Sequence, residues 1–377
     1  MLSCQRDRFD LDPDVTYLNC AYMGPLSRAV VEAGRAGLER KARPWTIGPD
    51  DFFDQVEEAR GLFATLVGAD SDGVALLPAV SYGIAVAANN LPVPPGGRIV
   101  VLGEEFPSNV YAWIDLAERA GGELVTVGRP ADLDWTAAVL EAIDDRVAIA
   151  ALSHCHWTDG GLIDLARVAR RVREVGAALV VDATQSIGAM PFPIDDVQPD
   201  FLVTASYKWL LGPYSSGFMW VSPRHREGRP LELSWINRAH SDDFPQLVRY
   251  TRELLPGARR YDVGETTNFA LVPAVRAALR QSLEWGVADI YEYSGALTDR
   301  LAASVAEIGL SLAPPHLRSR HLVGVRLEGG SAEAIDSAMA SAGVHVSVRG
   351  DAIRVSPHVY NDERDIDRLV EVLGTTL

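Results

Sequence analysis

Seven short apolar runs between residues 73 and 221 constrain this chain more than any other feature. They are GVALLP at 73–78, RIVVL at 98–102, ELVTV at 123–127, VAIAAL at 147–152, ALVVD at 178–182, FLVT at 201–204 and FMWV at 218–221. Short Val, Ile and Leu runs without polar alternation are strands covered on both faces. Helical segments of ordinary length lie between them, at 81–91, 108–120, 135–143 and 164–175. Strands and helices taken in turn build βαβ units, so the expected fold class is α/β with a large, mostly parallel sheet. Gly96, Gly97, Gly121, Gly122 and Gly176 supply permissive backbone where turns enter the strands.

The texture changes near residue 273. A long helical stretch at 273–308 is interrupted at Gly286. It is followed by HLVGVRL at 321–327, a helix at 332–341, VHVSV at 344–348, a strand at 353–356 and a last helix at 363–373. This order predicts a small α+β layer, and 377 residues suit two domains of unequal size. A net charge of −16 disfavours nucleic acid and anionic membrane as partners. No stretch of about 18 apolar residues offers a transmembrane helix. The three cysteines, Cys4, Cys20 and Cys155, are too few and too scattered for a disulfide scaffold and point to a reducing compartment. Residues 1–14 lack the apolar core of a signal peptide, so the expected location is the cytoplasm.

Open parallel sheets bind ligands at the carboxyl ends of their strands. After 73–78 stands Ser81, which is either a plain helix cap or part of an anion site at that helix start. After 178–182 stands Asp182, which either caps the next turn or faces a cation such as a pyridinium nitrogen. After 201–204 stands Lys208, set between Tyr207 and Trp209. It is either a surface lysine or a desolvated, nucleophilic amine suited to Schiff-base chemistry. Together the three offer a partner each for the phosphate, ring nitrogen and aldehyde of pyridoxal 5′-phosphate (PLP).

The segments VVDATQSIGAMP (180–191), SYKWLLGP (206–213) and IRVSPHVYN (353–361) complete the pattern. With them the chain resembles the class V aminotransferases, fold-type I PLP enzymes that include cysteine desulfurases, kynureninases and isopenicillin N epimerase-like proteins. The resemblance runs from Tyr17 to the C-terminal helix. It implies a large PLP-binding domain at 18–262 and a small domain made of 1–17 and 263–377. It also implies a role for each matching residue. Lys208 is the Schiff-base lysine and carrier of the Cα proton, and Asp182 pairs with the pyridinium. Gln185 bonds the ring hydroxyl, and Phe106 stacks on the ring. Val80, Ser81, Ser206 and Tyr207 reach the phosphate. Arg354 takes the substrate carboxylate in a bidentate fork. Trp235 and Thr266 or Thr267 reach a neighbouring subunit's phosphate, which implies a homodimer with shared active sites.

Two departures narrow the function. His156, flanked by His154 and Cys155, stands where many relatives have Asn, beside the cofactor or the substrate carboxylate. A His there is a catalytic or substrate-binding donor and marks a different substrate. The alternating faces of residues 154–156 argue against a metal site. No cysteine follows Cys155, so the sulfur-relay cysteine of desulfurases is missing. The first expectation is therefore a PLP-dependent lyase or deaminating enzyme acting on a small amino-acid-like substrate, as in β-elimination at a cysteine-derived C–S bond. Alternatives are an aminotransferase producing a keto acid, an epimerase, a decarboxylating deaminase, or a non-catalytic PLP-fold binding protein.

Overall fold

The computed structural model describes residues 2–327, 332–350 and 352–376. A short strand, β1 (Thr16–Tyr17), comes first. Seven strands then form the main sheet: β2 (Val74–Leu77), β3 (Arg98–Leu102), β4 (Glu123–Val127), β5 (Val147–Ser153), β6 (Ala178–Asp182), β7 (Phe201–Ala205) and β8 (Gly217–Val221). Their spatial order is β2-β8-β7-β6-β5-β3-β4. Neighbours from β4 to β7 pair in parallel, and β8 runs antiparallel to both β7 and β2. The expected mostly parallel α/β sheet is thus present, with one reversed strand inside it.

Burial on both faces explains the unbroken apolar runs. Within β3, Ile99 and Val101 pack into one core while Val100 and Leu102 pack into the other. Strand geometry sends successive side chains to opposite faces, so both sets must be apolar. Helices Val80–Asn90, Tyr111–Ala120, Trp135–Ala142 and Leu165–Glu174 follow β2, β3, β4 and β5 and cover the sheet.

The C-terminal layer contains β9 (Val323–Arg326), β10 (Val344–His345), β11 (Ser347–Arg349) and β12 (Ala352–Val355). β11, β12 and β9 form an antiparallel sheet, while β10 pairs in parallel with β1. The single strand expected at 344–348 is therefore two, shared between two small sheets. The long helical stretch divides at Gly286 into Leu271–Trp285 and Val287–Glu307. Gly286 has φ +78°, a left-handed value that favours glycine. The first of these helices sends Val272, Val275 and Leu279 into the main-sheet core. The small-layer core draws instead on Leu18, Leu297, Val323, Ile353 and Leu369. Residues 271–285 thus pack with the large domain, although the boundary expected at 263 puts them in the small one. Among the described residues, no helix is long and apolar enough to cross a membrane.

One buried ion pair fixes the edge of the sheet that leads into the site. Arg60, on helix Asp54–Val67, places Nη2 2.7 Å from Asp262 Oδ2. Asp262 Oδ1 accepts the Leu76 backbone N–H at 2.8 Å, and Arg60 also donates to the Val74 carbonyl. Both side chains are buried, so removing Arg60 leaves the Asp262 carboxylate charged and without an ion pair, whereas Arg60 has Glu57 as a second partner. Arg60→Ala is expected to destabilise the protein by about 3–5 kcal/mol, read as a lower urea midpoint, because breaking a buried pair costs that much. A loss below about 1 kcal/mol would show that the pair does not hold this edge.

Candidate active site

A cavity of about 430 Å³ opens at the carboxyl ends of β2, β3, β5, β6 and β7. Of the residues singled out from sequence, Val80, Ser81, Phe106, Asp182, Gln185, Tyr207 and Lys208 line it. They converge because each follows the end of a strand, and the strand ends stand side by side.

Lys208 is 7% exposed. Its ammonium lies over two ring faces, 5.3 Å from the Phe106 centroid and 5.6 Å from that of Tyr207. Burial pulls its pKa down to about 8, against the opposing pull of Asp182. A fair share of this amine is therefore neutral and nucleophilic near neutral pH. The backbone beneath it is closely approached by the N-terminal segment: Gly24 N–H donates to the Tyr207 carbonyl at 2.8 Å, and a Cβ on Gly24 would strike the Lys208 carbonyl.

Asp182 ends β6 and is equally buried. Burial raises its pKa, and donation from Thr184, including its backbone N–H at 2.9 Å, works the other way. Among the described residues no cation forms an ion pair with it. An unpaired carboxylate in such a place is costly unless the cavity receives a cationic group.

Gln185 is locked from behind. Trp209 Nε1 donates to its Oε1 at 2.8 Å, and its Nε2 donates to the Ala21 carbonyl at 3.2 Å. Trp209 is donor-only, so the Gln185 oxygen is fixed on that side and the amide nitrogen keeps a second N–H. Helix Val80–Asn90 begins at Ala79 with no side-chain cap; the Tyr82 N–H donates to the Ala79 carbonyl at 3.2 Å, and the Val80 and Ser81 N–H groups are left available to an anion. Ser81 is thus not the cap but a residue of the exposed first turn.

The remaining expected residues lie elsewhere. Ser206 is not on the cavity wall: its hydroxyl lies 2.9 Å from the Pro213 carbonyl and 3.0 Å from that of Ser216. His156 is fully buried, stacked 4.8 Å from the Trp135 ring, with Nδ1 2.7 Å from Thr158 Oγ1 and Nε2 3.1 Å from the Gly103 carbonyl. Burial lowers its pKa, Asp159 opposing. It supports the wall, and its neighbour Trp157 faces the cavity. Arg354 stands against Trp157, with Nη1 2.9 Å from the Trp157 carbonyl. Trp235 packs on Phe52, Phe53 and Phe244, away from the cavity. Thr267 donates to the Phe52 carbonyl. Thr266 lines an adjoining cleft that shares Pro78, Ser215 and Ser216 with the cavity.

Several wall residues were not singled out from sequence: Glu105, Ser108, Trp157, Tyr214, Ser215 and Ser216. Glu105 is the most consequential. Burial and then Asp182 push its pKa up to about 7, and its Oε2 has no hydrogen-bond partner. Its position directly before Phe106 at the end of β3 was the available signal.

These features fit PLP. The buried amine suits the aldehyde and the lone carboxylate suits a protonated ring nitrogen. The Gln185 N–H suits the ring hydroxyl, and the open helix start suits the phosphate.

Comparison with known proteins agrees. The family described as "Aminotransferase class-V" matches residues 49–369. Isopenicillin N epimerase of Streptomyces clavuligerus is 28% identical, over 98% of this chain and 96% of its own. Kynureninase of Burkholderia mallei is 28% identical over 80% of this chain and 73% of its own. The cystine C–S lyase C-DES, solved with its product cysteine persulfide, has a TM-score of 0.88 at 18% identity, covering 97% of this chain and 98% of its own. The fold is that of the fold-type I PLP enzymes, and the chain belongs to the class V aminotransferase family of PLP-dependent enzymes.

Proposed function

We propose that this enzyme acts at the amino group and Cα of a small amino-acid-like substrate, and that its reaction is β-elimination at a cysteine-derived C–S bond. The observation that carries the reading is Lys208. Among the described residues lining the cavity it is the only basic side chain, and it shares a buried space with an unpaired Asp182.

Bound there, PLP supplies a sink for the electrons left when a bond to Cα breaks. The protein's own groups do the rest. Lys208 would be the residue that holds the cofactor, and its amine, when free, would take the Cα proton. Asp182 keeps the ring nitrogen protonated. Gln185 donates to the ring hydroxyl, and the first turn of helix Val80–Asn90, with Tyr207, holds the phosphate. Arg354 receives the substrate α-carboxylate.

Phe106 covers one face and offers no acid or base there. One-base chemistry on the Lys208 side is therefore favoured over a two-base epimerisation, despite the likeness to an epimerase. Elimination in place of sulfur transfer to the protein follows from the lack of any cysteine beyond Cys155. Cys155 and Cys20 are themselves fully buried, and burial pushes both thiols up to about 12. Cys155 borders the cavity, but a thiol held protonated by burial is a poor acceptor of sulfur.

The cleft holding Thr266 is the reason to propose a homodimer with shared sites. Thr266 Oγ1 is buried without a partner, and Leu233, Trp235, Val248 and Tyr250 leave apolar surface exposed nearby in sequence. A second subunit would cover that surface and bring its phosphate end to the cleft.

Four outcomes are expected. The purified protein should be yellow and lose the colour with borohydride, and Lys208→Ala should show no borohydride-fixed cofactor by mass. The rate of cofactor loading onto the stripped protein should rise with pH, be half-maximal near 8 and level above that, as the Lys208 amine loses its proton. Cysteine S-conjugates should yield thiol, pyruvate and ammonia in equal amounts; keto acid without thiol, with the cofactor left in its amine form, would favour transamination. Sedimentation should show a dimer, and a fully active monomer would refute the shared site.

A further inference from the structure

Two guanidinium groups share one aromatic ring beside the cavity. Arg349 Cζ lies 5.5 Å and Arg354 Cζ 5.9 Å from the centroid of the Trp157 indole. The pairing of β11 with β12 brings this about. Arg354 pairs with Ser347, and Arg349 lies two residues beyond Ser347 on the same strand. Side chains two apart share a face, so the arginines are diagonal neighbours on one side of the small sheet.

Their partners are few. Arg349 Nη1 donates to the Val348 carbonyl at 2.7 Å and Arg354 Nη1 to that of Trp157 at 2.9 Å. Arg354 Nη2 also has Asn19 Oδ1 and Ser347 Oγ at 3.5 Å. The Nε of each arginine is buried and unpartnered. Among the described residues neither makes an ion pair. The neighbouring Arg129, by contrast, is neutralised by Glu104 and Asp159. Burial and then the charge of Arg349 bring the pKa of Arg354 down to about 9. Two like charges on a partly desolvated wall are unfavourable until anions arrive. A single carboxylate fills the fork of one guanidinium and leaves the other uncompensated.

We propose that the substrate is an α-amino acid with a second carboxylate on its side chain, the α-carboxylate held by Arg354 and the second by Arg349. Arg349 is then the residue that selects the side chain, and Trp157 is the surface along which the two carboxylates lie. The proposal rests on the reading of the cavity as an amino-acid site.

Binding of glutarate and of butyrate to the yellow holoenzyme, measured by calorimetry, tests it without turnover. Glutarate should bind about 10- to 100-fold more tightly than butyrate, the worth of one charge-assisted contact. Arg349→Gln should bring the two within about threefold and leave butyrate binding unchanged, whereas Arg354→Gln should weaken both. Equal binding by the unaltered enzyme, or an Arg349→Gln loss that is the same for both ligands, overturns the proposal. Cofactor colour is scored separately and should be the same in Arg349→Gln as in the unaltered protein. A colourless unaltered protein refutes the PLP reading itself, while glutarate selectivity lost only in Arg349→Gln supports the second carboxylate site in either case.

Discussion

A buried amine and a buried carboxylate, each without an ion pair, face one cavity, and much of the surrounding architecture serves to hold them there. Lys208 and Asp182 sit at the ends of adjacent strands, β7 and β6. Neither charge is tolerable in a closed core. Both become useful where a ligand completes them. The strands that carry them are apolar on both faces, so the sheet is rigid and its ends are the first positions where polar groups find room. The Arg60–Asp262 pair steadies β2 in the same way, and with it the helix start proposed to receive phosphate.

Polar groups behind the cavity act by restricting their neighbours. Trp209, beside the lysine, fixes the Gln185 amide by its only donor. His156 fills the space under the wall, between Trp135 and the Gly103 carbonyl, and leaves Trp157 to face inward. Glu105 contributes a second carboxyl group close to Asp182, held near its point of protonation by burial. The wall is therefore acidic beneath the proposed ring site, while toward the small domain it presents Trp157 with two arginines against that ring.

Much of the fold was legible in the sequence because a strand buried on both faces leaves an unmistakable run of apolar residues. All seven main strands fall where the runs lie. The reversed direction of β8 was not legible, since an apolar run carries no arrow. Helices Arg28–Lys41 and Asp54–Val67 precede the alternating region and escaped notice. VHVSV reads as one strand, yet it is divided between β1 and β12 by pairings no local pattern reveals. In the site, residues directly after strands were legible: Ser81, Asp182 and Lys208. His156 also follows a strand, but its ring turns into the packing against Trp135, an orientation that spacing alone does not specify. Tyr214, Ser215 and Ser216 come from the loop before β8, so their approach depends on the strand reversal that the pattern hides.

That reversed strand also dictates the order in which the site comes into being. β2 pairs in the main sheet only with β8, which lies about 140 residues later in the chain. Until residues 217–221 have been made and inserted, β2 has no neighbour in the main sheet, and the helix that follows it is held by its packing on β6 and β7. The edge of the site is thus closed by a pairing between segments far apart in the chain, the kind of contact that forms late and slowly.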